Sequence, residues 1–215
     1  MKLKAGSHSI FILPLVLFVL NHPNIQAQSI TRSDTVSCVE NYSTKFETGA
    51  EYLSPTVFGN NIKTISVHVF FWKRYFKKTP VLINVGMTCT YAWGLSRQWY
   101  PISDSILKPA DHKTSAFGLG PALQIECVMI KVKRFSLVAE ASGGFILYDK
   151  HFPYGGDVYN IMFRAGPSVI FKMNCNYSFK TGYRWMHVSN GKGYGNQNPY
   201  YEAQGVNFSV IKIIK

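Results

Sequence analysis

The stretch VLINVGMTCTYAW, residues 81–93, alternates bulky apolar side chains with small or polar ones. Val81, Val85 and Tyr91 belong to the first set, and Asn84 and Thr88 belong to the second. Successive side chains of a β-strand point to opposite faces of the sheet. The alternation therefore predicts a strand with one bulky apolar face and one small, polar face.

The same alternation recurs on both sides of this stretch. Runs of period two occupy residues 45–52, 63–71, 81–93, 117–126, 135–147, 159–171, 175–189 and 202–210. Turn-rich segments separate the runs, and the pattern gives no amphipathic helix of ordinary length after residue 27. Eight strands of about ten residues, each with one apolar face, are what a transmembrane β-barrel requires. We therefore expect an all-β protein, an eight-stranded antiparallel transmembrane β-barrel.

The polar face distinguishes this barrel from its alternative, a soluble lipocalin-like barrel. Besides small residues, that face carries isolated polar and charged ones: Glu47, Glu51, His68, Gln124, Glu126, Glu140, Arg164, Lys180 and Arg184. A narrow, packed lumen suits small residues and opposite charges that pair, whereas a water-facing surface usually carries many Lys and Glu residues. The other face is bulky, with Tyr and Trp toward the strand ends as in interfacial girdles. The residue types on the two faces of the strands therefore favour the membrane barrel.

The N-terminal 27 residues have the pattern of a secretory signal peptide. Lys2 and Lys4 precede an apolar core at residues 10–20, and a plausible cleavage site ends at Ala27. The apolar core is shorter than the roughly 17–25 residues of a membrane-spanning helix, which disfavours an uncleaved anchor. We predict a signal peptide at residues 1–27, a periplasmic lead at 28–44 and a barrel at 45–215 in the outer membrane of a Gram-negative cell.

The net charge indicates which kind of partner to expect, and the spacing of the cysteines bears on whether the chain binds a metal. The formal charge is +12, but the chain has no dense Lys/Arg run and no nucleic-acid motif, so an anionic membrane surface fits better than nucleic acid. The four cysteines lack the spacing of a zinc site: Cys38, Cys89, Cys127 and Cys175. We expect them to be ordinary residues of the apolar face or the rim. We expect no metal and no cofactor.

The lengths of the connections predict which end of the barrel faces outward. Long loops are expected at residues 53–62, 94–114, 148–157 and 190–201, and short turns at 131–133 and 172–174. The link at residues 72–80 is moderately long for its class. Outer-membrane barrels have short periplasmic turns and long external loops. The end of the seventh strand and the start of the eighth therefore face outside.

Three polar residues continue the apolar face at this external end. His187 and Ser189 extend the apolar row of the seventh strand, and an antiparallel hairpin brings Glu202 of the eighth strand near them. A hydroxyl, an imidazole as its base and a carboxylate that orients the imidazole are the parts of a serine hydrolase. Asn190 and Gly191 follow at once and are candidates for oxyanion stabilisation, although Asn-Gly is also a strong turn signal.

The sequence HVSNG at residues 187–191, followed by Asn198, Pro199 and Glu202, resembles the C-terminal motif of a known family. The family is the outer-membrane lipid A 3-O-deacylases, the PagL-type barrels related to acyloxyacyl hydrolase, and the specific match covers the last two strands. The resemblance implies a barrel that removes the ester-linked acyl chain at position 3 of lipid A, with lipopolysaccharide as substrate. It implies His187 as general base, Ser189 as nucleophile and Glu202 as orienting acid.

A second function stays open on the residues alone. A non-enzymatic eight-stranded barrel, acting as an adhesin or stabilising the envelope, has the same architecture. In that interpretation His187, Ser189 and Glu202 are rim residues at a position where polar side chains are tolerated. The oligomeric state is open as well, and a homodimer is compatible with the pattern.

Overall fold

The structure is a computed structural model. It describes the backbone of residues 44–73, 81–103, 106–192 and 199–214, and the side chains of these residues except 72–73 and 99–108. The predicted signal peptide and nearly all of the predicted lead, residues 1–43, lie outside the described residues. Within the described ranges, no helix is long and apolar enough to cross a membrane.

Eight strands form a closed antiparallel barrel. They are β1 (Thr44–Gly59), β2 (Asn61–Lys73), β3 (Val81–Ser103), β4 (Ile106–Val132), β5 (Phe135–Tyr148), β6 (Tyr159–Lys172), β7 (Tyr177–Ser189) and β8 (Tyr201–Ile214). Each strand pairs with its neighbours in sequence, and β1 pairs with β8 to close the sheet. The predicted eight-stranded antiparallel barrel is confirmed.

The outside of the barrel is apolar and the inside is polar. Every strand exposes at least one large apolar side chain, for example Tyr52, Ile65, Val85, Phe117, Leu147, Ile161, Phe179 and Phe208. Side chains of opposite parity, such as Asn84 and Thr88, are buried in the lumen. An apolar band around a closed barrel, with no sheet edge left open, is a surface made for lipid. The protein is therefore a membrane-spanning barrel of the outer-membrane type.

Two segments predicted as long loops belong to strands instead. Residues 53–62 are divided between β1 and β2, and Gly59 turns the chain with φ of +77°, a conformation that favours glycine. Residues 94–114 extend β3 and β4 as a paired ribbon that continues to Ser103 and Ile106. Beyond the apolar band the outward face no longer meets lipid, so its side chains become polar and the alternation fades. The ribbon still marks the predicted external end.

Charged residues fill the lumen and pair with one another. Lys180 Nζ lies 2.5 Å from Glu47 Oε1, 2.7 Å from Glu126 Oε1 and 3.1 Å from Glu140 Oε2. The two arginines pair as well, Arg164 Nη2 with Glu51 Oε1 at 2.9 Å and Arg184 Nη2 with Glu140 Oε1 at 2.7 Å. All of these side chains are buried. The predicted pairing of opposite charges in the lumen is confirmed.

An aromatic cluster and a loop close the external end of the lumen. The hydroxyls of Tyr148 and Tyr201 are 2.5 Å apart, and the fully buried ring of Phe152 packs against both tyrosines. Phe152 belongs to the loop at residues 149–158, which joins β5 to β6. The carbonyl of Tyr154 in this loop accepts hydrogen bonds from two side chains of β3, Ser96 Oγ at 3.1 Å and Gln98 Nε2 at 2.9 Å. The loop is thereby fixed across the mouth of the barrel.

The cysteines do not all have the predicted character. Cys89 and Cys127 are free, and Cys89 is exposed on the apolar face as expected. Cys175 is disulfide-bonded, so its prediction as an ordinary rim residue is wrong. It lies in the turn between β6 and β7, outside the paired strands. Disulfides are expected in proteins that are exported from the cytoplasm. Cys38 lies outside the described residues.

Candidate active site

His187 and Glu202 form a hydrogen-bonded pair on the outside of the barrel. They are directly opposite each other in the register of β7 and β8. His187 Nδ1 lies 3.3 Å from Glu202 Oε1, and the two side chains are 33% and 18% exposed. The predicted convergence of the imidazole and the carboxylate is present. It arises because an antiparallel pair places side chains of directly opposed residues on the same face.

The carboxylate determines what the imidazole can do. A carboxylate beside Nδ1 favours the tautomer in which Nδ1 carries the proton and donates it to Glu202. The other ring nitrogen, Nε2, is then free of a proton and can accept one. Such a histidine is oriented as a general base, with the carboxylate ready to stabilise the imidazolium that forms.

Aromatic rings surround the histidine on its own face. The ring of Tyr200 stacks on His187 with centroids 5.5 Å apart, and the ring of Trp185 lies 6.2 Å from that of His187. Gln204 is opposite Trp185 in the register, and its Oε1 accepts a hydrogen bond from Tyr183 Oη at 2.5 Å. The apolar alternation of the sequence places Trp185 and Tyr183 on this face. Tyr200 lies before β8, so it is not part of an alternating run.

Ser189 lies on the same face, at the last position of β7. It pairs with Ile161 of β6 and is partly exposed. Two residues along a strand correspond to about 6.6–6.8 Å. Within the described part of the chain, no hydrogen bond joins Ser189 to His187. Catalytic hydrogen bonds are often long or absent before substrate binds, so the spacing is compatible with a nucleophile and its base.

Asn190 and Gly191 form the turn that follows. The side chain of Asn190 is buried, on the opposite side of the sheet from Ser189. Its Nδ2 donates to Asp157 Oδ2 at 3.3 Å and its Oδ1 accepts from the backbone N–H of Lys192 at 3.0 Å. Gly191 has φ of +75°. The amide of Asn190 is thus directed to the loop at residues 149–158 rather than toward the face of Ser189.

Lys192 and Asp157 form an ion pair beside the site, which the sequence pattern did not predict. Lys192 Nζ lies 2.7 Å from Asp157 Oδ2. The hydrogen bond from Lys192 to this carboxylate raises the pKa of the lysine. Neither residue belongs to a strand, and the contact spans the loop between β5 and β6 and the turn after β7. The contact holds the external end of β7, where Ser189 lies, against that loop.

Fold and site together define a membrane-spanning eight-stranded β-barrel with a His–Glu pair and a serine on the outward face of its external end. No protein-family model and no curated protein matches this sequence.

Several solved structures of outer-membrane proteins resemble the fold remotely. The outer membrane enzyme PagL is 15% identical, with a TM-score of 0.49 over 76% of this chain and 97% of that one. The outer membrane protein AlkL is 10% identical, with a TM-score of 0.39 over 86% and 96% of the two chains. A major outer membrane protein from Thermus thermophilus is 8% identical, with a TM-score of 0.37 over 81% and 100%. These likenesses are too remote to assign an activity.

Proposed function

We propose that this protein is an outer-membrane serine esterase that removes the ester-linked 3-O-acyl chain of lipid A. In this proposal Ser189 is the nucleophile, His187 the general base and Glu202 the acid that orients the imidazole. The observation that carries the proposal is the 3.3 Å contact between His187 Nδ1 and Glu202 Oε1 on the lipid-facing side of the barrel. The family resemblance of residues 187–191 agrees with it.

The position of the pair supports a membrane lipid as substrate. A charged side chain on the lipid face of a barrel costs about 2–4 kcal/mol at the midplane but only about 0–1 kcal/mol near the interface. His187 and Glu202 lie at the external ends of β7 and β8, beside a serine. At that level the outer leaflet of lipopolysaccharide presents the glucosamine esters of lipid A. An ester bond in this leaflet can reach Ser189 without leaving the membrane.

The chemistry follows the usual course of a serine esterase. Ser189 Oγ attacks the carbonyl carbon of the ester while His187 Nε2 takes the hydroxyl proton. The tetrahedral intermediate collapses, and the proton passes from His187 to the sugar oxygen that leaves. Water then attacks the acyl-serine with His187 again as base, which releases a 3-hydroxy fatty acid and regenerates Ser189. No metal or cofactor is needed.

Oxyanion stabilisation is assigned to the turn after Ser189. The sequence offers Asn190 and Gly191 for this role, and the two residues differ in which of their groups are available as donors. The Asn190 amide already contacts Asp157, and the N–H of Lys192 already donates to Asn190 Oδ1, so the backbone N–H of Gly191 is the better donor. Gly191 has φ of +75°, a left-handed conformation that favours glycine.

The test is the mass spectrum of lipid A from a Gram-negative host that expresses the wild type or Ser189→Ala. We expect the wild type to remove one 3-hydroxyacyl chain and the variant to leave lipid A intact. Thr181→Val is the matched control, because it removes a hydroxyl from the same face of β7, eight residues from Ser189. Membrane insertion of each protein is checked by its heat-modifiable migration.

Two outcomes distinguish the esterase from the non-enzymatic barrel. Loss of the acyl chain in the wild type and the control, but not in Ser189→Ala, supports the esterase. Identical spectra from properly inserted wild type and Ser189→Ala would reject it and leave an adhesin or envelope-stabilising barrel as the better account.

A further inference from the structure

A cavity of about 360 Å³ lies at the external end of the barrel, between β4 and the loop at residues 149–158. Six residues line it: Lys113, Thr114, Ser115, Lys150, His151 and Tyr154. None of them belongs to β7 or β8, and none takes part in the proposed hydrolysis. We call this cavity the β4–loop pocket.

The pocket exists because β4 is longer than its partner β5. The last contacts between them involve Asp149, whose N–H donates to Phe117 O at 2.8 Å and whose Oδ1 accepts from Phe117 N at 3.1 Å. After Asp149 the loop that follows β5 separates from β4 and crosses the mouth of the barrel. Because the hydrogen-bonding direction alternates along an antiparallel strand, the N–H and C=O groups of Ser115 and Lys113 point to the same side as those of Phe117. Backbone donors, together with carbonyl acceptors, are thus directed toward the pocket.

The pocket contains two lysines whose charge is not neutralised by an acidic side chain. Among the described residues, Lys113 and Lys150 have no ion-pair partner, whereas Lys192 is paired with Asp157 at 2.7 Å. The nearest acids along the chain have other partners: Asp149 directs one carboxylate oxygen to the N–H of Phe117, and Asp111 is paired with Arg97. Two exposed ammonium groups therefore face a common space.

The remaining walls supply further polar groups. His151 Nδ1 contacts the carbonyl of Gly156 at 3.0 Å, and because a carbonyl only accepts, Nδ1 is the donor. This bond holds the ring in place and leaves its Nε2 edge for another partner. The hydroxyl of Ser115, which lies on the same face of β4 as Lys113, adds one more donor. Two ammonium groups, a hydroxyl and backbone N–H groups around one cavity form a site for a tetrahedral oxyanion.

We infer that the β4–loop pocket binds a phosphate group, presented by the headgroup of a phosphorylated glycolipid in the outer leaflet. The level of the pocket supports this source. Phe117 and Tyr91 are outward-facing rings with centroids 4.6 Å apart, and Trp93 stacks on Tyr91 at 5.4 Å. Aromatic rings of this kind mark the boundary between acyl chains and headgroups. Ser115 and Lys113 follow Phe117 outward on β4, beyond these rings, and we therefore expect them at the level of headgroup phosphates.

The size of the pocket is compatible with a headgroup as well as with the anion alone. Small-molecule sites commonly enclose about 300–1,000 Å³. At about 360 Å³ the pocket accommodates a phosphate together with part of the sugar that carries it. The inference goes beyond the proposed esterase activity, because it concerns a separate place on the rim and holds whether or not Ser189 is a nucleophile.

Binding is measured on the full chain carrying Ser189→Ala, so that hydrolysis cannot alter the ligand. Calorimetric titrations in octyl glucoside micelles use three probes: diphosphoryl lipid A, the same lipid after removal of its phosphates, and inorganic phosphate. Lys113→Gln/Lys150→Gln removes the two cations of the pocket. Lys172→Gln/Lys212→Gln is the matched control, because it removes the same charge at the periplasmic ends of β6 and β8.

We expect the pocket variant to bind diphosphoryl lipid A at least tenfold more weakly than the control variant does, and the phosphate-free lipid to bind weakly to both. If inorganic phosphate shows the same dependence on the two lysines while the lipid does not, the phosphate site stands and its source is the solution. Equal affinities of the two variants for both phosphate probes, with both barrels folded by circular dichroism, would overturn the inference.

Discussion

Polar residues occur on both faces of β7, and their surroundings differ completely. On the inner face, Lys180 contacts three glutamates and Arg184 contacts Glu140 within 3.1 Å. On the outer face, His187 has one carboxylate partner and Ser189 has no side-chain partner among the described residues. Each inner charge has partners of opposite charge, which a buried ion requires. The ion pairs therefore account for the charged residues of the inner face. The outer polar residues gain little from their contacts, and they cost little near the interface; the esterase proposal gives them a chemical role.

The largest expected effect concerns the outer face. We predict that His187→Ala lowers the rate of lipid A deacylation by about 10⁴-fold, because the serine loses its base. The double variant His187→Ala/Ser189→Ala should be no slower than either single variant, since residues that act as one unit are not additive. Fatty-acid release from purified protein in mixed micelles measures both effects. Rates that multiply in the double variant would show that the two residues act independently.

The inner face should respond in stability. We predict that Lys180→Met destabilises the barrel by about 3–5 kcal/mol, because three buried glutamates lose their shared cation. Urea unfolding in lipid vesicles, followed by tryptophan fluorescence, gives the free energy of unfolding. Lys63→Met is the control, as Lys63 is exposed on the outside of β2. An unfolding midpoint equal to that of the control would contradict the structural role of the lumen network.

A smaller effect is expected where the lumen closes. Tyr148→Phe removes one hydroxyl of the buried pair with Tyr201, and we predict a loss of about 1 kcal/mol. The same unfolding experiment measures it. Tyr177→Phe is the matched control, because Tyr177 is exposed at the periplasmic end of β7. A loss of the same size in both variants would mean that the buried hydroxyl pair contributes nothing specific.

The smallest effect is expected on the water-exposed ribbon. The hydrogen bond from Arg97 lowers the pKa of Asp111 and raises that of the arginine. A depressed carboxyl pKa stabilises the folded ribbon above the ordinary aspartate range, and that contribution is lost as the pH falls through the lowered pKa. We predict that Arg97→Gln moves the midpoint of the Asp111 carboxyl titration, measured by NMR, upward. An unchanged midpoint would show that the contact is not maintained in solution.

The barrel could be predicted from the sequence because its signal is local. Each strand alternates apolar and polar residues over its own length, and the lumen charges were recognisable as isolated Glu, Lys and Arg on the small face. Their partners were not predictable. Lys180 contacts glutamates from β1, β4 and β5, and that choice depends on the registers of all the intervening strands. The polar ribbon of β3 and β4 was missed because its outward face meets water.

The candidate site was predictable to the same extent. His187 and Glu202 could be matched because each continues a periodic run, and one hairpin brings the two runs together. Tyr200, Asp157 and Lys192 lie between strands, where alternation carries no information. The inward direction of Asn190 follows from the same alternation. Asn190 comes directly after Ser189, so its side chain points to the opposite side of the sheet.

Ser189 lies on the outside of the barrel, and we propose that it is there for chemistry rather than for stability. The most direct measurement is the rate at which purified, folded protein releases 3-hydroxy fatty acid from lipid A, compared between the wild type and Ser189→Ala. We predict that Ser189→Ala lowers this rate by at least about 10³-fold and leaves the free energy of unfolding unchanged. Equal rates per folded molecule, or no release by either protein, would contradict it.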